Sequence, residues 1–269
     1  MGDDSVARRL VPPESFVRSY DPPGEVDAWK AVIGYRRALT MYQERRAPSV
    51  SSIAEEVDLP PDVLEPWLES DQDPLPVSGL EQAQALGWID IDPVSDTFRG
   101  LNVLVGSTFG LGVIDAETYR PRFSIRTPRD IERLGWAIDR VGLRYAMVRD
   151  SEDDRARELR PTKHAPILGR VLVVLGAPVA RNSQSIDGLP KYLSVVSREH
   201  RLAFARSFLE SSLPVGASVR NLRIVMDRPE PFLDELTQFL GDVAGSPVNR
   251  EGSEVVISSD VAQSLGAVP

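Results

Sequence analysis

The period of apolar positions changes several times along the 269-residue chain, and each change predicts an element. Over residues 25–46, Val26, Trp29, Val32, Ile33, Ala38, Leu39 and Tyr42 recur near helical spacing. Ser49 or Ser51 can cap a second helix carrying Ile53, Ala54 and Val57. Pro61 suits the first position of a third, with Val63, Leu64, Trp67 and Leu68 on one face. Residues 79–86 predict a fourth helix ending near Gly87, after a break at 71–76. Pro12, Pro13, Pro22 and Pro23 make residues 1–24 an irregular lead-in.

From residue 98 the pattern alternates between helix and strand, twice over. Residues 98–108 predict a helix, 119–126 a strand, 127–141 a helix with Ile131, Leu134, Ala137 and Ile138 inward, 144–149 a strand and 167–175 a helix. The second series has a helix at 201–212, a strand at 217–226, a helix at 231–244, a strand at 255–258 and a final helix at 261–265. Gly245 follows the helix before it, as a residue tolerating positive φ should. The matching order predicts an internal repeat, with copies at 98–185 and 186–269. The expected fold class is α+β: an all-α domain at 25–97, then a pseudo-twofold duplicated domain.

Composition narrows the chemistry. There is no cysteine, and the two histidines, His164 and His200, lie in different segments, so disulfides, thiolate metal sites and a three-histidine zinc site are excluded. His164 is expected in a solvated polar loop, His200 in a charged helix start, and the four tryptophans in core packing. Neither a phosphate-binding P-loop nor a dinucleotide glycine fingerprint occurs. No apolar run approaches the roughly 18–20 residues that span a bilayer, and the first ten residues lack the apolar core of a secretion signal. The expectation is a cytoplasmic protein with no membrane partner and no cofactor. Twenty-eight arginines stand against three lysines, with 40 acidic residues and a net charge of −9, a balance suited to a halophile. Residues 1–97 hold 8 basic and 19 acidic side chains, net −11, which leaves the remainder at +2. A polyanion is therefore expected on the second part.

The segment SVSSIAEEVDLPPDVLEPWLE has helix-turn-helix spacing and resembles the modules of DNA-binding regulators. Its second helix presents Asp62, Glu65 and Glu69 and no arginine, so it suits a protein contact as well as a DNA groove.

Residues 98–269 resemble the LAGLIDADG homing-endonuclease family. Residues 204–212, Phe-Ala-Arg-Ser-Phe-Leu-Glu-Ser-Ser, look like its second signature helix. Residues 168–172, 175–178 and 189–192 are similar to its connector between repeats, and 221–224 and 254–258 to the strands after the motif. The resemblance implies two signature helices packed at a pseudo-twofold axis, each supplying one carboxylate to a divalent metal at the scissile phosphates. The chain departs from that pattern. Aligned on residues 101–109, the first catalytic position is Thr108 and the second Ser212, and a hydroxyl cannot replace a carboxylate as a charged hard-cation ligand. A rival alignment on residues 112–117 places Glu117 there, with Glu210 the nearest acid in the second copy. It leaves about ten residues for two strands of about five each plus a turn, so Thr108 is preferred. Asp115 and Glu117 then belong to a charged loop.

The strands carry the binding chemistry. Arg120, Arg122, Ser124 and Arg126 alternate with Phe123 and Ile125 and should share one face. Tyr145 and Arg149 lie on the next strand, and Arg220, Asn221 and Arg223 in the second copy. The resemblance implies that such a face grips double-stranded DNA, and arginine and asparagine suit base edges and phosphates. The alternative for these arginines is pairing with the abundant acids. The expected function is a sequence-specific DNA-binding protein without cleavage activity, a transcriptional regulator and a monomer with internal pseudo-symmetry. The helix-turn-helix combination also resembles WhiA-type regulators, in reversed order. The alternatives are an active Mg-dependent endonuclease and a protein-interaction adaptor that does not bind DNA.

Overall fold

The computed structural model describes residues 9–20, 27–45, 49–69, 73–148, 157–179, 188–214 and 221–266. The chain divides into two compact units, one of Val11–Asp90 and one of the remainder.

The smaller unit is helical: α1 Pro13–Arg18, α2 Ala28–Glu44, α3 Val50–Val57, α4 Pro61–Glu69 and α5 Leu75–Ala85. Asp27 caps α2 by accepting from the backbone N–H of Trp29 at 2.8 Å and of Lys30 at 3.2 Å. Asp58 ends α3 in the left-handed region at φ 55°. Ala38, Ile53, Ala54, Val57, Leu59 and Leu64 form the core, with Trp67 against it. The lead-in is not irregular throughout: Pro13 opens α1, and Phe16 and Val17 are fully buried. The expected break at 71–76 is shortened, because Leu75 and Pro76 already belong to α5. Ile33 and Tyr42 point outward. The buried face of α2 runs through Val32, Tyr35 and Ala38 instead. Tyr35 donates to the Asp73 carboxylate at 2.6 Å, and burial beside that charge raises its pKa to about 12.

The larger unit is mixed α+β. It runs α6 Asp96–Thr108, β1 Gly112–Ile114, β2 Pro121–Ile125, α7 Pro128–Arg140, β3 Tyr145–Val148, β4 Arg157–Pro161 and α8 Ala165–Val174. After a 3-10 turn at Lys191–Ser194 come α9 Arg198–Ser212, β5 Asn221–Val225, α10 Glu230–Ala244, β6 Asn249–Glu251, β7 Glu254–Ser258 and α11 Ser259–Ser264. Two antiparallel sheets result, ordered β1-β2-β4-β3 and β5-β7-β6. Thr127 closes a capping box with Asp130 at the start of α7, and Gly245 ends α10 at φ 72°.

At the centre α6 packs against α9, and the two run parallel. Asn102 Nδ2 donates to the His200 carbonyl at 2.9 Å, Ser207 Oγ to the Val103 carbonyl at 2.8 Å, and the Ser107 and Ser207 hydroxyls meet at 2.9 Å. A β-carbon on Gly106 would lie 3.0 Å from the Phe204 carbonyl oxygen, and one on Gly110 only 2.6 Å from the Ser211 carbonyl. Small residues thus set the spacing of the pair, and Phe98, Leu101, Leu104, Phe204 and Phe208 bury around it. Phe109 stacks on Phe232 at 5.9 Å. Trp88 is fully buried, but Trp136 is 42% exposed, with Arg140 5.6 Å above its ring, so core packing does not account for it.

Gly110→Ala should destabilise the protein by about 1–3 kcal/mol, the usual cost of overpacking a tight contact. Urea denaturation measures this. Gly252→Ala meets no neighbouring atom, although φ 62° strains it. It therefore shows what an added β-carbon costs where no helix stands against it.

Candidate functional site

The first sheet has a covered face and an open one, fixed by register. Phe123 lies across from Leu159, which lies across from Met147. Phe123 and Leu159 are fully buried. Alternation sends Arg122, Ser124, Glu158 and Arg160 to the opposite side. Arg122 and Arg160 are exposed, Ser124 and Glu158 half-buried. Arg120, just before β2, is also exposed. Among the described residues neither Arg120 nor Arg122 makes a direct ion pair.

Three expected members of this face behave differently. Tyr145 lies across from Pro161, on the Phe123 side of the sheet, and its ring covers Gly135 of α7, so register takes it off the open face. Arg126 lies beyond the end of β2. Its guanidinium donates to the Leu213 carbonyl at 2.6 Å and to the Glu210 carbonyl, so it caps the C-terminus of α9. Arg149 and Arg220 lie outside the described residues, as does the Asn221 side chain. On the second sheet Arg223 is exposed, but it is held by Glu251 at 2.9 Å and by Glu254 at 2.5 Å. These two carboxylates raise its pKa. At this position the arginine pairs with acids of its own sheet.

The helix ends contain hydroxyls and a buried cation. Thr108 is the last residue of α6 and donates to the Val105 carbonyl at 2.6 Å. Ser212 is the last residue of α9, and its buried hydroxyl finds no partner. Between the helices lies Arg133, from α7. Its Nη1 donates to the Ser207 carbonyl at 2.9 Å, to Ser207 Oγ at 2.9 Å and to Ser211 Oγ at 3.0 Å. Its Nη2 pairs with Asp130 at 3.2 Å and its Nε with Glu210 at 3.3 Å. Burial lowers the Arg133 pKa, opposed by both acids. Burial likewise raises that of Glu210, with the arginines pulling the other way. Glu210 is therefore committed to a structural pair.

Residues 112–117 are not helical. Gly112–Ile114 is β1, and Glu117 is exposed in the turn after it. Asp115 organises that turn, accepting from the N–H of Glu117 at 3.1 Å and from the N–H and hydroxyl of Thr118 at 2.8 and 2.9 Å. These bonds hold its carboxyl below the usual range. Among the described residues no group of three or more histidine, aspartate or glutamate side chains forms a cation site.

The sequence reading missed Arg133, Arg160 and the burial of His200. Asp130, Arg133, Leu134 and Ala137 recur at helical spacing, so the α7 stripe already carried an ion pair into the core. His200 is buried, not part of a charged helix surface. Its Nδ1 meets Ser197 Oγ at 2.8 Å, and burial lowers its pKa. His164 is half-buried, holding φ 51° just before α8.

No protein-family model and no curated protein matches the chain. Among solved structures it is similar to the homing endonuclease I-DmoI. A crystal structure of that protein in complex with DNA and Ca gives a TM-score of 0.40 at 10% identity, covering 63% of this chain and 88% of that one. A structure of its mesophilic variants gives 0.42 at 10% identity, covering 64% and 96%. No described helix is long and apolar enough to cross a membrane.

Arg133→Met should cost about 3–5 kcal/mol, because it takes the paired cation from buried Asp130 and the donor from the Ser107, Ser207 and Ser211 acceptors. Denaturation against Glu210→Gln, whose side chain is 37% exposed, measures it; that variant should cost about 1 kcal/mol or less. The raised Glu210 carboxyl also sets a sign. Its contribution is full below the ordinary carboxylate range and is lost as pH rises through its folded value. Glu210→Gln should flatten that slope.

Proposed function

We propose that the larger unit binds double-stranded DNA on the open face of its first sheet and does not cut it. The observation carrying this reading is the exposure of Arg120 and Arg122 on and beside β2, clear of any direct ion pair among the described residues, with Phe123 and Ile125 holding the strand from behind. Cations presented this way suit phosphates and guanine edges. The order α6, β1, β2, α7, β3, β4, α8 followed by α9, β5, α10, β6, β7, α11 supports a duplicated, LAGLIDADG-like unit with α6 and α9 as its paired helices.

The non-cleaving reading rests on side-chain chemistry. In-line phosphodiester hydrolysis on that scaffold needs one metal-bridging acid per helix, and Thr108 and Ser212 bring hydroxyls. Glu210 is tied to Arg133, and Glu117 lies in the turn after β1. A protein that holds DNA without cutting it acts by controlling access to its site, so the proposed role is regulation. The α3–α4 pair supports a helix-turn-helix-like module, and Asp62, Glu65 and Glu69 lie exposed along α4. Those acids suit a protein partner for this module.

One observation favours the adaptor reading. Arg223, exposed on β5 of the second sheet, is neutralised by two glutamates. The two readings predict different behaviour of the full chain in fluorescence anisotropy with random and selected duplexes. On the DNA reading, Arg122→Ala weakens binding by about 1–3 kcal/mol if it reads a base. If it holds a phosphate, it lowers the salt slope by about one unit. Arg223→Ala changes little, and Mg²⁺ produces no discrete cut. Absence of duplex binding at low salt would overturn the DNA reading, and a metal-dependent cut abolished by Glu117→Gln would overturn the non-cleaving one.

A further inference from the structure

Where the open face of the first sheet meets α8 there is a recess of about 310 Å³. Arg120, Arg122 and Arg160 line it, with Thr118, Thr162 and the start of α8 at Ala165 and Pro166. It also contains one carboxylate, Asp115, whose Oδ1 is already occupied by the Thr118 turn.

The register here has an energetic oddity. Phe123 pairs with Leu159, and the same register carried one residue further sets Arg122 across from Arg160 on the same face. Like charges directly opposite destabilise a sheet. Glu158 relieves Arg160 through Nε at 2.8 Å, and Asp115 lies near enough to Arg122 to feel its charge. That leaves Arg120, which makes no direct ion pair among the described residues. The wall is also held in place. Arg170 of α8 lies 3.9 Å over the Tyr119 ring. Gly169 admits the Tyr119 carbonyl so closely that a β-carbon would overlap it. The first turn of α8 carries no acidic residue, and His164 gives it no side-chain cap.

We infer that this recess is a phosphate-group site, with Arg120, Arg122 and Arg160 as its cationic wall and the Thr118 and Thr162 hydroxyls and the first-turn N–H groups of α8 as further donors. A phosphate group with its oxygens spread among the three guanidiniums relieves the Arg122–Arg160 repulsion and completes the helix start. The group can be a DNA backbone phosphate or a free phosphate. The first source rests on the proposed DNA-binding role, the second does not.

Inorganic phosphate is titrated into the full chain at constant ionic strength, followed by amide chemical shifts. The expected result is saturable movement of the Ala165 and Ile167 amides, with affinity at least about tenfold weaker in Arg122→Ala or Arg160→Ala, the worth of one charge-assisted hydrogen bond, and unchanged in Arg140→Ala. A melting curve checks that each variant folds. Linear shifts without saturation, or equal loss in Arg140→Ala, would overturn the site. A duplex that moves the same amides and competes with phosphate assigns the site to the DNA backbone. A duplex that binds without touching them assigns it to free phosphate. If phosphate saturates while no duplex binds, the recess stands and the DNA reading falls; duplex binding without phosphate saturation gives the reverse.

Discussion

Everything in the larger unit depends on how closely α6 and α9 approach. Gly106 and Gly110 remove the β-carbons that would hold the helices apart, and the carbonyls of Phe204 and Ser211 fill the space. Close approach brings polar groups into a dry seam, and each then needs a partner. Ser107, Ser207 and Asn102 find theirs across the seam, and Tyr192 reaches Asn102 from the connecting segment at 2.7 Å. Arg133 completes the set from α7. The guanidinium links the two helices, donating to Ser107 Oγ of α6 at 3.3 Å and to Ser207 and Ser211 of α9.

The seam also organises the sheet. Arg126, leaving β2, closes the carbonyl end of α9, so the strand carrying the exposed arginines is tied to the helix pair by charge-assisted bonds. Asp130 joins the two ends of the same stretch: it accepts from the Arg126 and Thr127 backbone N–H groups at 3.0 and 2.9 Å and pairs with Arg133. The open face is thus held by a short chain of contacts running through β2 to the core.

The long helices were legible because each buries a full stripe, as in residues 231–244 with Phe232, Leu236, Phe239 and Val243. The face of β2 was legible for the same reason at period two. β1, β4 and β6 were not. Arg157–Pro161 buries only Leu159, set between charged neighbours, and the terminal Pro161, which reads as a strand breaker, and Asn249–Glu251 buries nothing. Such strands form because a neighbour offers a hydrogen-bonding edge, which local sequence does not record. Missing β4 also hid which side Tyr145 takes, since its face follows from pairing with Pro161. Arg126 was misread because a residue just past a strand need not continue its alternation. At the helix ends the residue types were readable from sequence; that a neighbouring arginine would immobilise Glu210 was not.

The opposed arginines on β2 and β4 have a practical corollary for handling the protein. With an anion seated in the inferred recess, the folded state gains stability by mass action, in proportion to the logarithm of the anion concentration. Its midpoint of unfolding then depends on the buffer salt as well as on the chain. Preparations in phosphate or sulfate and in chloride would differ in apparent robustness although every covalent bond is the same.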